Sequence, residues 1–135
     1  MTTLVLFTRS KALSAKIICF LTRSNWSHAS LVVGEDAIIE ADAFVGVQET
    51  TITGRINASV AYEYREYDYE KGMAIATARS LIGKAYDWVG LLGVGRDNDK
   101  WYCSELVSHC LDIRLKGEPV ISPQELYELG KPVRP

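Results

Sequence analysis

Strand-like and helix-like segments are segregated along this chain, and their order constrains its fold more than any other feature. One strand and one helix come first, several strand patterns follow, and helical patterns occupy most of the second half. Alternating strand–helix–strand units would interleave the two types, so this order favours an α+β domain with a mostly antiparallel sheet. The length of 135 residues suits one sizeable core, and no repeat, linker or low-complexity tract interrupts it. We therefore predict a single domain over residues 1–135.

The strands are predicted from short apolar runs and from the alternation of apolar and polar residues. Two of them flank the tight turn Gly34-Glu35-Asp36 and are expected to pair as a hairpin. Gly54 breaks the pattern before the last strand, which should bulge or end near Glu66, where its aromatic residues change parity. The predicted strands span residues 3–7, 28–33, 37–41, 45–50 and 60–66.

The helices are predicted from apolar residues that recur at intervals of three and four. Ser10 can cap the first helix, Gly83 stops the second, and Asp87 can cap a short segment after it. Proline residues keep the C-terminal tail mostly irregular. The predicted helices span residues 11–22, 71–81, 103–113 and 124–129, with the short segment at 88–92.

Cys103 opens one of these helices, at a position that favours a reactive thiol. The helix dipole and the N–H groups of the first turn favour the thiolate, which is the form that attacks a carbonyl carbon. Cys103 also lies on the apolar stripe of its helix, so a role as one more core residue is an alternative. Cys19 and Cys110 are predicted to be core residues.

The composition argues against several other functions. The net charge is −2 and the basic residues are scattered, which predicts no surface for nucleic acid or for an anionic membrane. No apolar stretch could span a bilayer, and the run Thr8-Arg9-Ser10-Lys11 interrupts the early apolar segment, so we predict a cytoplasmic protein. Three cysteines without a Cys-x-x-Cys pair, and only two histidines, predict neither a disulfide framework nor a metal site.

A nucleophilic cysteine needs a base within hydrogen-bond reach. His109 lies about 120° around the helix from Cys103, so it should face solvent or another element. His28 is the remaining candidate base, and its alternative is an edge residue without a role. Glu40, on the paired strand, could orient the imidazole or be an ordinary surface residue, and Asp42 is its substitute. Backbone N–H groups at the start of the Cys103 helix could hold an oxyanion.

Three segments together resemble a known group of enzymes. The segment Ile82-Gly83-Lys84-Ala85-Tyr86-Asp87-Trp88-Val89-Gly90, followed by Tyr102-Cys103-Ser104-Glu105-Leu106-Val107, is similar to the second motif region of NlpC/P60-type cysteine hydrolases. In the standard members the histidine follows the cysteine, whereas here the segment Ser27-His28-Ala29-Ser30-Leu31-Val32-Val33 precedes it. That order resembles the circularly permuted, papain-like branch of YaeF/YiiX-type hydrolases.

The resemblance implies a permuted papain-like fold, in which a mostly antiparallel sheet or partial barrel packs against the Cys helix. It also implies Cys103 as the nucleophile, His28 as the base and Glu40 as the third polar residue. Tyr86 matches the motif tyrosine that lines the cleft. Tyr102 and Ser27, which lie within the motifs, are predicted as further substrate contacts.

We therefore predict a cysteine hydrolase that cleaves an amide or related acyl bond in a small peptide, amide or acyl substrate. The reaction would pass through an acyl-enzyme and require no metal or organic cofactor. Two alternatives stay open: an acyltransferase with the same triad, and a non-catalytic binding module on the same fold. The sequence does not indicate an oligomeric state.

Overall fold

The computed structural model describes residues 2–11, 25–87, 100–113 and 121–133. The described elements, numbered in chain order, are β1 (Thr3–Ser10), β2 (His28–Gly34), β3 (Ala37–Asp42), β4 (Gly46–Thr51), α1 (Ile52–Asn57), β5 (Ser59–Tyr67), α2 (Lys71–Ser80), β6 (Ala85–Tyr86), β7 (Lys100–Trp101), α3 (Cys103–Cys110), α4 (Pro123–Leu129) and β8 (Lys131–Pro132).

Six strands form one antiparallel sheet in the order β4-β3-β2-β1-β5-β8. The short strands β6 and β7 pair in parallel, apart from this sheet. The predicted α+β class with a mostly antiparallel sheet is confirmed, and the sheet formed by the described strands does not close into a barrel. The predicted hairpin is also confirmed, since β2 and β3 pair with Leu31 opposite Ile39.

Successive residues of a strand point to opposite faces of its sheet, so odd-numbered and even-numbered residues of the central strands lie on different faces. Both sets are buried. Odd-numbered residues such as Phe7 and Leu31 belong to the main core, on which α2, α3 and α4 pack. Even-numbered residues such as Leu6 and Ile38 form a second cluster with Ile52 of α1. Helices on two sides therefore cover the strands at the centre of the sheet.

The last large strand ends near Glu66, as predicted, and has no bulge there. β5 ends at Tyr67, one residue beyond Glu66, and its pairing with β1 is regular up to that point. The register shift lies at the opposite end, between Arg9 and Ser10. The aromatic parity changes because Tyr64 packs into the second cluster whereas Tyr67 packs into the main core.

Helix α1 was not predicted, because Gly54 indicated only a break in the strand pattern. The Thr51 side chain caps this helix by accepting a hydrogen bond from the Gly54 N–H. Asp36, in the β2–β3 turn, accepts bonds from both the N–H and the hydroxyl of Thr53. These bonds tie α1 to the β2–β3 turn, so that the helix covers the sheet face formed by the even-numbered residues, which we call the second face.

The helices α2 and α4 form where the sequence predicts them. Helix α3 ends at Cys110, three residues earlier than predicted, and Asp112 just beyond it has a positive φ of 56°. The predicted helix over 11–22 and the segment 88–92 lie outside the described residues, as does Cys19. In the parts of the chain that the structure describes, no helix is both long and apolar enough to cross a membrane.

Gly46, the first residue of β4, packs closely against the backbone of the segment that carries Tyr86. Its φ is +92°, and a Cβ atom at this position would lie 2.3 Å from the Lys84 carbonyl oxygen. The next residue, Val47, donates its N–H to that same oxygen at 2.8 Å and accepts the Gly83 N–H at 2.9 Å. Glycine is therefore required where β4 holds the β6 segment in place.

Candidate active site

Cys103 is the first residue of α3 and is fully buried. Tyr102 precedes it in an extended conformation, so the chain turns directly from β7 into the helix. The Cys103 sulfur lies 4.0 Å from the Ser27 carbonyl oxygen, and the backbone N–H groups of Ala29 and Ser104 help to lower the pKa of the thiol. The first turn of α3 therefore meets the start of β2 at the sulfur.

The His28 side chain lies between Cys103 and Glu40. Its Nε2 atom lies 2.9 Å from Glu40 Oε1. On its other side the ring is a close neighbour of Cys103 and lowers the pKa of that thiol. Because Nε2 is bonded to the carboxylate, Nδ1 is the nitrogen left to face the sulfur. The three predicted catalytic residues are thus brought together, in the order thiol, imidazole and carboxylate.

Glu40 is a fully buried carboxylate whose two oxygens are both well supplied with donors. Oε1 accepts hydrogen bonds from His28, from the Ser30 hydroxyl at 3.1 Å and from Arg55 Nε at 3.0 Å. Oε2 accepts from the Gln48 amide at 3.0 Å and from Arg55 Nη2. A buried charge with this many partners satisfies the requirement that a carboxylate removed from water be paired and hydrogen-bonded.

The register of the sheet explains why these donors converge. Glu40 stands directly opposite Gln48 on β4, and the pairing of β2 with β3 places Ser30 beside it on the other side. These even-numbered residues share the second face with His28, and α1 covers that face with Arg55. Cross-strand neighbours on one face lie about 5 Å apart, which is within reach of these side chains.

The electrostatics of the site favour a thiolate–imidazolium pair. Burial lowers the pKa of His28, but the charge of Glu40 and the hydrogen bonds to Cys103 and Glu40 outweigh it and raise the pKa to about 9. Burial likewise raises the pKa of the Cys103 thiol, while the hydrogen bond and charge of His28 bring it below its ordinary value. The pKa of Glu40 is lowered, because His28 and Arg55 outweigh its burial.

Tyr86, the predicted cleft residue, reaches the sulfur. Its half-buried side chain hydrogen-bonds Cys103, and burial together with that contact raises the pKa of the phenol. Asp42, the predicted substitute for Glu40, does not bond to His28 among the described contacts and pairs with Arg55 at 3.1 Å instead. Of the two candidate carboxylates, Glu40 is therefore the one that bonds the His28 ring.

The other two predicted substrate contacts are occupied within the protein. Tyr102 is 1% exposed, and its hydroxyl accepts the Ile121 N–H at 3.1 Å. The Ser27 hydroxyl accepts the Ser10 N–H at 3.0 Å, so only the Ser27 carbonyl faces the sulfur. Both side chains therefore make contacts within the protein, and we propose neither as a contact for the substrate.

Sequence reasoning missed three members of the site: Ser30, Gln48 and Arg55. Because side chains alternate between the two faces along a strand, the strand positions of Gln48 and Ser30 could have predicted that they share a face with Glu40. Arg55 carried no such signal, because its helix has only six residues and Gly54 within it indicated a break rather than a helix. His109, the histidine excluded by helix geometry, stacks on Trp101 with ring centroids 4.9 Å apart.

Comparison with known proteins adds two findings. A family model described as "Permuted papain-like amidase enzyme, YaeF/YiiX, C92 family" matches residues 4–128. A solved structure titled as that of the metalloprotein YiiX from Escherichia coli O157:H7 is 25% identical, with a TM-score of 0.65, over 89% of this chain and 68% of that one. No match was found among curated proteins. In the described part of this chain, no group of three or more His, Cys, Asp and Glu side chains is placed to hold a metal ion.

Proposed function

The chain belongs to the permuted papain-like amidases of the YaeF/YiiX type, a family of thiol hydrolases, and on this premise we propose that it cleaves an amide bond through Cys103, His28 and Glu40. The family membership confirms the resemblance found in the Cys and His motifs. The observation that supports the proposal is the hydrogen bond of 2.9 Å between His28 Nε2 and the buried Glu40 carboxylate, with the Cys103 thiol, whose pKa His28 lowers, next to the same ring.

In the proposed first step the Cys103 thiolate attacks the carbonyl carbon of the substrate. The new S–C bond forms as the carbonyl electrons move to oxygen, and first-turn N–H groups of α3 hold the oxyanion. The C–N bond then breaks, and the His28 imidazolium gives its proton to the leaving amine. The products of this step are a free amine, a neutral imidazole and an acyl-Cys103 thioester.

In the second step His28 acts as the base. Neutral His28 removes a proton from water, which attacks the thioester carbonyl and releases a carboxylic acid. The C–S bond breaks, the sulfur leaves as the thiolate and the proton stays on His28, so the thiolate–imidazolium pair is restored. Glu40 keeps the ring oriented throughout, because its Oε1 remains bonded to Nε2.

The buried sulfur sets a condition on substrate entry. Cys103 is 0% exposed, so a carbonyl group reaches it only after a neighbouring group moves. Tyr86 is half-buried and in contact with the sulfur, and we expect this side chain to turn aside or to share its hydroxyl with the substrate.

The test uses p-nitrophenyl acetate, an activated ester that acetylates nucleophilic thiols without needing a specific substrate. We expect release of p-nitrophenol in a burst followed by steady turnover, and peptide mass spectrometry should locate the acetyl group on Cys103. Cys103→Ala should abolish both phases, whereas Cys110→Ala, a substitution in the core, should retain them. Acetylation of Cys103 no faster than that of Cys110 would contradict the proposal.

The same assay separates hydrolysis from acyl transfer. An added amine acceptor competes with water for the acetyl-enzyme, and the products are then acetate and an N-acetyl amine. We expect acetate to dominate at low acceptor concentration. Acetyl-enzyme that persists until the amine is added would favour the acyltransferase.

A further inference from the structure

Arg55 contacts both oxygens of the Glu40 carboxylate, one of which also bonds His28. We propose that Arg55 is a positioning residue that holds the Glu40 carboxylate against His28 and supplies a permanent counter-charge for it throughout the reaction. This inference rests on the proposed function, because it assigns Arg55 a part in the cycle of His28.

The geometry of the guanidinium is the first support for this role. Arg55 donates through Nε and Nη2 to the two different oxygens of Glu40, and Nη2 also bonds Asp42 Oδ2 at 3.1 Å. A two-pronged contact fixes the plane of the carboxylate as well as its position, which one ammonium group could not do. The plane of Glu40 in turn determines where Oε1 meets His28 Nε2.

The charges of the reaction are the second support. His28 is positive before the amine leaves and neutral afterwards, so it neutralises Glu40 during only part of the cycle. A fully buried carboxylate left without a counter-charge costs several kcal/mol. Arg55 is only 18% exposed and keeps Glu40 paired in both states, so that His28 can give up its proton.

The anchoring of Arg55 is the third support. Its helix α1 is tied to the β2–β3 turn by Asp36, and the Ser59 hydroxyl bonds the Arg55 carbonyl oxygen at 2.7 Å. Asp42, the second partner of Arg55, also accepts the N–H groups of Phe44 and Val45 in the β3–β4 turn. The backbone that carries Arg55 and the Asp42 carboxylate that its guanidinium contacts are therefore both fixed by hydrogen bonds.

The groups that face this network determine the direction of the expected pH effects. β2 contributes a titrating imidazole and a hydroxyl, β3 two carboxylates, β4 a neutral amide, β5 a hydroxyl, β6 a phenol and α3 the thiol. The groups are His28, Ser30, Glu40, Asp42, Gln48, Ser59, Tyr86 and Cys103. Removing the positive charge of Arg55 should therefore raise the pH at which His28 loses its proton, and removing the negative charge of Asp42 should lower it.

The experiment measures how fast acetyl-Cys103 is hydrolysed, as a function of pH, after a single acetylation by p-nitrophenyl acetate. This step needs neutral His28, so its rate rises with pH around the pKa of that group. For Arg55→Met we expect the midpoint to move up by about one pH unit, and the rate below the midpoint to fall about tenfold. Arg55→Lys keeps the positive charge but loses the two-pronged contact with Glu40. It should therefore lower the rate of hydrolysis while moving the midpoint by less than Arg55→Met does.

Two further variants make the test decisive. Asp42→Asn should move the midpoint down, and this nearly isosteric change gives an answer even if Arg55→Met does not fold. Arg79→Met is the matched control, because Arg79 makes an exposed ion pair with Glu49 away from the site and should leave the midpoint unchanged.

The outcomes separate this inference from the proposed function. If wild-type Cys103 is acetylated and hydrolysed while Arg55→Met loses rate equally at all pH values, Arg55 has only a structural role and the inference is wrong. Unshifted midpoints in Arg55→Met and Asp42→Asn would overturn it as well. If wild-type Cys103 is not acetylated, the proposed function fails and this inference fails with it.

Discussion

The relative reactivity of Cys103 and Cys110 is the sharpest test of the thiolate–imidazolium pair. Both residues lie on α3, and both are buried, at 0% and 1% exposure. Their electrostatic settings differ, because burial alone acts on Cys110 and raises its pKa from 9.0 to about 12. The pKa of Cys103 is lowered instead, mainly because His28 opposes its burial.

The opposite pKa shifts of Cys103 and Cys110 give a minimum value for the ratio of their alkylation rates. A difference of three pKa units gives about a 10³-fold difference in thiolate fraction at neutral pH. A thiolate of lower pKa is also a weaker nucleophile, and with a slope of about 0.4–0.5 this reduces the advantage by a factor of about 30. Cys103 should therefore be alkylated about 30-fold faster than Cys110, or more, because its own pKa lies below 9.0.

The assay is alkylation by iodoacetamide at pH 7.5, with the two peptides quantified by mass spectrometry. In His28→Ala the ratio should fall towards one, because only the backbone N–H groups would then oppose the burial of Cys103. His109→Ala is the matched control and should leave the ratio unchanged, since His109 stacks on Trp101. Similar rates for both cysteines in the wild type, or an unchanged ratio in His28→Ala, would refute the argument.

Three further predictions concern the network and its support. In Glu40→Gln the loss of the negative charge should lower the pKa of His28 and reduce the alkylation rate of Cys103 at pH 7.5 by about tenfold; an unchanged rate would show that Glu40 does not hold the imidazolium. The pKa of His28 is raised, so its stabilising effect should be complete below pH 6.5 and lost as the pH rises through about 9. Denaturant unfolding should show a loss of up to about 3 kcal/mol over this interval, reduced in His28→Gln; equal losses in the two proteins would contradict it. Gly46→Ala should destabilise the fold more than Gly83→Ala, because both glycines have positive φ but only at Gly46 would a Cβ meet a carbonyl oxygen, that of Lys84; equal melting temperatures would disprove the steric argument.

The local parts of the fold were predictable because they depend on local properties of the chain. The turn at Gly34-Glu35-Asp36 between two apolar runs predicts a hairpin, and the structure forms it. Helical spacing likewise placed Cys103 in the first turn of α3 and turned His109 away from it. The change of aromatic parity near Glu66 correctly placed the end of β5, although no bulge forms there, because Tyr64 and Tyr67 pack on opposite faces of the sheet.

The candidate nucleophile and base, Cys103 and His28, were predictable for a different reason. Few residue types can serve as nucleophile and base, and this chain has only two histidines, of which helix geometry removed one. The site residues that were missed are of types that occur throughout any chain. Ser30, Gln48 and Arg55 are ordinary polar residues until the sheet and α1 bring them to Glu40.

The sequence by itself therefore predicted the hairpin and the helix that Cys103 opens, and it gave Cys103 and His28 as the candidate thiol and imidazole. Turn residues, periodicity and the scarcity of reactive side chains are all encoded within short stretches. Only the tertiary structure showed that Glu40 rather than Asp42 bonds His28, and that Arg55 bonds the same carboxylate. These hydrogen bonds join residues 12 and 15 positions apart, and they depend on strand register and on the packing of α1.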